Sequence, residues 1–142
     1  MKNQWLKSLT MGLVVLSSAS CASMSSLIGK TTYDPASYGT AALIETASSP
    51  KSVTSDAVAA ARQLSKRNLT EEDGAKLLDA LLTQRNWKVR VALLETMANK
   101  QMTYLRDELA EYALEAPDPE TAVQAGVTVM ALTSDQEKAL KF

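Results

Sequence analysis

The feature that most limits what this chain can fold into is a repeat of helix starts. Asn86-Trp87-Lys88-Val89-Arg90 and Asp118-Pro119-Glu120-Thr121-Ala122 lie 32 residues apart, each preceded by a leucine-rich stretch and followed by an apolar run. A period in this range marks paired helices stacked in series, because one such unit cannot bury its apolar face without a neighbour. From Pro35 onward apolar residues recur at spacings of three and four, with no alternating run bounded by turn residues. That pattern predicts an all-α fold.

The helices are delimited by their stop signals. The spacing predicts a first helix over 36–47, with Ala41, Ile44 and Ala47 on one face and Ser48-Ser49-Pro50 as its end. A second is expected over 52–66, with Val53, Ala57, Ala60 and Leu64 inward. Thr70 opens a third that reaches about residue 82 and carries Leu77, Leu78, Leu81 and Leu82. There a hydroxyl caps free amides while Glu71, Glu72 and Asp73 oppose the helix dipole. The fourth is expected over 87–99, with Val89, Leu93 and Met97 in line, and the fifth over 103–115, with Leu105, Leu109 and Tyr112. Pro117-Asp118-Pro119 stops the fifth and opens a sixth over 120–132, leaving residues 135–142 as a tail. Gly126 in mid-helix costs about 1 kcal/mol against alanine, which predicts close contact with the preceding unit.

Taken in pairs, residues 74–84 with 87–100 and 104–116 with 120–133, preceded by a degenerate copy over 39–48 and 50–66, resemble the HEAT repeat. The match lies in an apolar first helix, a turn carrying Asn or Asp, and a second helix opening on Val89-Arg90. The resemblance implies a short α-solenoid of about three antiparallel helix pairs over residues 36–134. Thr121-Ala122 and the region of Ser52-Val53 lack the Val-Arg pair, whose arginine supports a stacking ladder in that family. A compact six-helix bundle is therefore the alternative.

The beginning of the chain reads as an address rather than as fold. Lys2 and Lys7 precede an apolar stretch from Leu9 to Leu16, too short for the roughly 20 apolar residues that cross a bilayer. Residues 1–20 are expected to be an export signal. Small residues leading to Cys21 resemble the bacterial lipoprotein signal, in which the cysteine is lipidated and becomes the new N-terminus. Cleavage after Ala22, with Ser20 and Ala22 as the small pair, is the competing reading, because Ser18 stands where the family prefers an aliphatic residue. Residues 21–35, rich in Ser and Thr, are expected to form a flexible tether. The lipoprotein resemblance, with Ala22 and not aspartate after the cysteine, implies the periplasmic side of the outer membrane.

Composition then removes most chemistry. The chain holds no histidine and one cysteine, which excludes a Cys/His zinc site, a Ser-His-Asp triad and an internal disulfide. Without residues 1–20, 13 basic side chains face 16 acidic ones, and there is no basic stripe interleaved with aromatics, so no nucleic-acid partner is expected. No cofactor is expected, since no phosphate-cradling glycine run occurs. Asp107, Glu108, Glu111 and Glu115 share the fifth helix, followed by Asp118 and Glu120, and read as a solvated face. The better candidate contact is the ridge of second helices, where Arg62, Trp87, Lys88 and Arg90 combine cations with an aromatic anchor. The function expected is a non-enzymatic, membrane-tethered protein of the bacterial periplasm that binds another protein as scaffold or adaptor. Alternatives are an assembly factor resembling pilotins, which would hold an amphipathic helix in a groove, and a glycan enzyme using Asp107, Glu111 and Glu115.

Overall fold

The computed structural model describes residues 32–140. The expected export signal, Cys21 and the tether up to residue 31 lie outside the described residues. The chain divides into residues 1–33 and residues 34–142, and the fold below is that of the second unit. Among the described residues there are six α-helices and no strand: α1 (Thr40–Ser48), α2 (Thr54–Leu64), α3 (Glu71–Thr83), α4 (Trp87–Asn99), α5 (Arg106–Glu115) and α6 (Pro119–Ala139). Short 3-10 turns, Pro35–Ser37 and Thr103–Leu105, precede α1 and α5.

Local chemistry accounts for most of the boundaries. The Thr70 hydroxyl accepts from the Asp73 amide while the Asp73 carboxylate accepts from the Thr70 amide, a reciprocal cap at the start of α3. The Asn86 side chain caps α4 by accepting from the Lys88 amide at 3.0 Å. At its other end α4 closes with Gln101 in the left-handed region (φ 52°). The Met102 amide donates to Met97 O at 3.1 Å and the Gln101 amide to Ala98 O at 3.0 Å, the Schellman pattern that satisfies the last carbonyls. The expected first helix is split: Asp34 accepts from the Ala36 amide to form the 3-10 turn, and α1 begins only after Gly39. This turn is fixed to the domain, since Arg67 Nη2 donates to Ala36 O and to Tyr38 O, both at 3.0 Å. The sixth helix is longer than expected and absorbs the first part of the tail, because no Gly or Pro after residue 132 stops it.

The helices form three pairs, with α1 against α2, α3 against α4 and α5 against α6. The second helices stack in chain order, α4 lying between α2 and α6. The 32-residue period persists in their burial: Ala57, Val89 and Thr121 are buried, as are Ala61, Leu93 and Ala125, and again Leu64, Thr96 and Thr128. Small residues let the backbones approach closely enough for side-chain hydroxyls to reach across. Thr96 Oγ1 donates to Ala61 O at 2.6 Å, and Thr128 Oγ1, 32 residues on, donates to Leu94 O at 3.2 Å. Leu43, Leu77, Leu81, Leu93, Leu94, Met97, Leu109 and Leu132 fill the core at 0% exposure.

Gly126 does not do what the sequence reading expected of it. A Cβ built there meets nothing within 4 Å, so no contact inside the described chain requires the glycine. Gly74 is the tight one. A side chain at that position would collide with the phenol ring of Tyr104, which lies across the first turn of α3.

Candidate functional site

The ridge residues do not converge as expected. Arg90 opens α4 but turns inward, 7% exposed. Its guanidinium donates Nη1 to Gln84 O at 2.8 Å and Nε to Thr121 Oγ1 at 3.2 Å, and pairs through Nη2 with the Asp118 carboxylate. The reading of Arg90 as a contact for a partner is thereby corrected: it is an internal clamp that ties the α3–α4 turn to the start of α6. Burial works against a charged carboxylate at Asp118, yet hydrogen bonds from the Thr121 hydroxyl and amide and from Arg90 hold it below the usual carboxylate range.

Arg62 stays on the surface near the end of α2, 3.9 Å from Glu95. Glu95 lies seven residues beyond Lys88, roughly 10 Å along the helix axis, so Arg62 stands apart from the Trp87 end of the ridge. Trp87 and Lys88 do come together. The Lys88 ammonium sits 5.7 Å from the ring centroid of Trp87, a cation–π contact on a ring that is 43% exposed. Trp87 and Val91 on α4 and Pro119 and Val123 on α6 line a shallow apolar depression, with Glu120 and Gln124 at its edge. Val123, Val127 and Met130 carry exposed apolar surface further along the same face of α6.

Sequence reasoning missed two features. The first is Gln84, buried in the α3–α4 turn. Its Nε2 donates to Ala47 O at 2.9 Å, and its Oε1 accepts from the Arg85 amide at 2.9 Å. Beside it Asn86 Nδ2 donates to Thr54 Oγ1 at 2.9 Å. With Arg90 these bonds form a polar seam along the turns that joins all three pairs. A lone glutamine after a leucine-rich helix gives no sequence signal for this.

The second is a groove of about 350 Å³ between α3 and α5. Leu78 and Leu82 form the α3 wall; Tyr112 and Leu114 form the α5 wall, with Glu108, Glu111 and Glu115 beside them. Leu82 is 60% and Leu114 89% exposed. The adjacent pairs Leu77-Leu78 and Leu81-Leu82 were the available signal, since four leucines make an apolar face wider than one neighbour covers. Leu77 and Leu81 took the core. Burial pushes the Tyr112 phenol up, with Arg90 opposing and Asp118 adding, and its hydroxyl has no hydrogen-bond partner among the described residues. The groove's carboxylates all come from α5; Asp107 is not among them and pairs with Arg106 at 2.8 Å. The facing wall offers leucines, so the two-sided carboxylate arrangement of a glycosidase is not formed here.

No group of three or more potential metal ligands occurs among the described residues, and no helix among them is long and apolar enough to cross a membrane. Compared with known proteins, the chain matches no family model, no curated protein and no solved structure.

Proposed function

We propose that this chain is a non-enzymatic, lipid-anchored protein of the bacterial periplasm, tethered through Cys21 to the outer membrane, that binds another protein as scaffold or adaptor. The observation that carries the binding reading is the open depression of Trp87, Val91, Pro119 and Val123, with Lys88 over the indole. A half-exposed tryptophan beside a cation and aliphatic side chains is the composition of an interface anchor. Trp87 and Lys88 are the contact residues in this reading; Arg62 is peripheral to it and Arg90 supports the turn from beneath. A short solenoid, the arrangement that the resemblance to the HEAT repeat implies, would accord with the reading, since solenoids build extended surfaces of this kind.

A photo-crosslinking side chain placed at Val123 in native envelopes tests it. A discrete adduct that disappears with Lys88→Glu, and that the same probe at Lys76 does not form, is the expected result; matching adducts from both positions overturn the reading. The anchor is tested separately by the intact mass of the mature protein, where a diacylated Cys21 is expected and an unmodified Ser23 terminus removes it. The groove between α3 and α5, apolar and open, favours a second reading, an assembly factor resembling pilotins that holds an amphipathic helix of its client.

A further inference from the structure

We propose that the α3–α5 groove is a docking site for a basic amphipathic helix, distinct from the Trp87 ridge. The inference rests on the reading that the chain binds other proteins, and it names the chemistry of one bound segment. Three observations on the groove fix that chemistry. Its walls carry apolar side chains, Leu78 and Leu82 on one side and Leu114 on the other, and Leu82 and Leu114 are exposed well beyond what a core leucine tolerates. Its rim is of one sign: Glu108, Glu111 and Glu115 line it, and none of the three has a cation within 4.0 Å among the described residues. Its place is an unclosed junction, because α1 and α3 pack against each other in the first-helix row while α5 packs on α6 and scarcely meets α3.

The three glutamates are spaced three and four apart on α5, so their charge runs as a stripe beside the leucines for about two turns. A partner that covers Leu82 and Leu114 must bring its own apolar face down between them. It must also set charge against the stripe, and an acidic or neutral helix would leave three carboxylates partly desolvated without compensation. A helix with leucine-type residues on one face and Lys or Arg along the flank meets both demands.

The test uses the full chain and a fluorescein-labelled amphipathic peptide of leucine and lysine, about four helical turns long, with a sister peptide carrying glutamate for lysine. Fluorescence anisotropy reads the affinity. The lysine peptide is expected to bind, to weaken as salt is raised, and to lose about tenfold or more with either Glu108→Gln/Glu111→Gln/Glu115→Gln or Leu82→Ser/Leu114→Ser. Trp87→Ala should leave it unchanged. All of these side chains are exposed, and thermal unfolding of each variant checks that the fold is intact. Binding of the glutamate peptide with equal strength, or unchanged affinity in both groove variants, overturns the proposal. Loss with Trp87→Ala alone overturns it too, while leaving the ridge reading standing; a failed ridge crosslink with intact groove binding does the reverse. A concentration-dependent dimer that Leu82→Ser/Leu114→Ser abolishes would assign the groove to a second copy of the chain and also overturn it.

Discussion

The row of second helices and the row of first helices belong to the same three helix pairs and end up in opposite states. Along α2, α4 and α6 each junction is closed by burial and then stitched, by Thr96 to Ala61 O, by Thr128 to Leu94 O, and at the turns by Asn86, Gln84 and Arg90. Along α1, α3 and α5 the first junction packs but the second opens into a groove walled by exposed leucines and acids. The difference teaches that polar bonds, and not apolar area alone, set the spacing of this stack. Where small residues bring backbones within reach of a hydroxyl the row is fixed, and where large leucines meet a charged helix the described residues form no hydrogen bond or ion pair between the neighbours.

The comparison breaks most sharply at Arg90. Arg90→Ala leaves Asp118 without its cation and strands Gln84 O, so a loss of about 3 kcal/mol is expected, and a fall of more than about 10 °C in Tm by calorimetry. An unchanged Tm would show that the seam does not govern the second-helix row. The same clamp sets an acid limb. Because the folded state holds the Asp118 carboxylate below its ordinary value, its contribution is present above about pH 4 and drains away as pH falls through the lowered folded value. Asp118→Asn should therefore show a shallower decline in stability below about pH 4 than the parent protein, measured by chemical denaturation.

A smaller effect is expected from the stitches. Thr96→Val keeps the volume and removes the hydroxyl that reaches Ala61 O, which should cost about 1 kcal/mol. Hydrogen exchange should then quicken in α2 and α4 before α5. If Thr96→Val is neutral, closeness of the second helices comes from the alanines alone. The smallest effect is predicted for the open row: Leu82→Ser and Leu114→Ser should each change stability by under about 0.5 kcal/mol. A larger loss would show that the groove is occupied in the free protein.

Gln101 sharpens the role of the turns from another side. It holds a left-handed conformation at the end of α4 that costs a side-chain residue about 1 kcal/mol. Gln101→Gly is expected to recover roughly half of that as added stability, while leaving both rows unchanged.

The sequence by itself determined the helical class, the 32-residue period and most stops and starts, though not the split before α1 or the reach of α6. These are local or periodic properties: Thr70 before three acids makes a cap whatever the chain later packs against, and α4 spans residues 87–99 as the spacing predicts. It also placed Leu77, Leu93, Met97 and Leu109 inside, but Val53, expected inward, is 64% exposed and Leu82 60%, so helical spacing alone did not decide burial. Tertiary structure alone decided which way Arg90 points, because Arg at a helix start serves equally well outside, in solvent, or inside, against a carboxylate 28 residues away. It decided that Gly126 is idle and that Gly74 sits against the phenol end of a tyrosine far along the chain. It decided that the acidic face of α5 borders a leucine groove and is not merely solvated. Each of these depends on the distance between side chains remote in sequence, and a one-dimensional pattern carries the identity of a neighbour only when that neighbour is a few residues away.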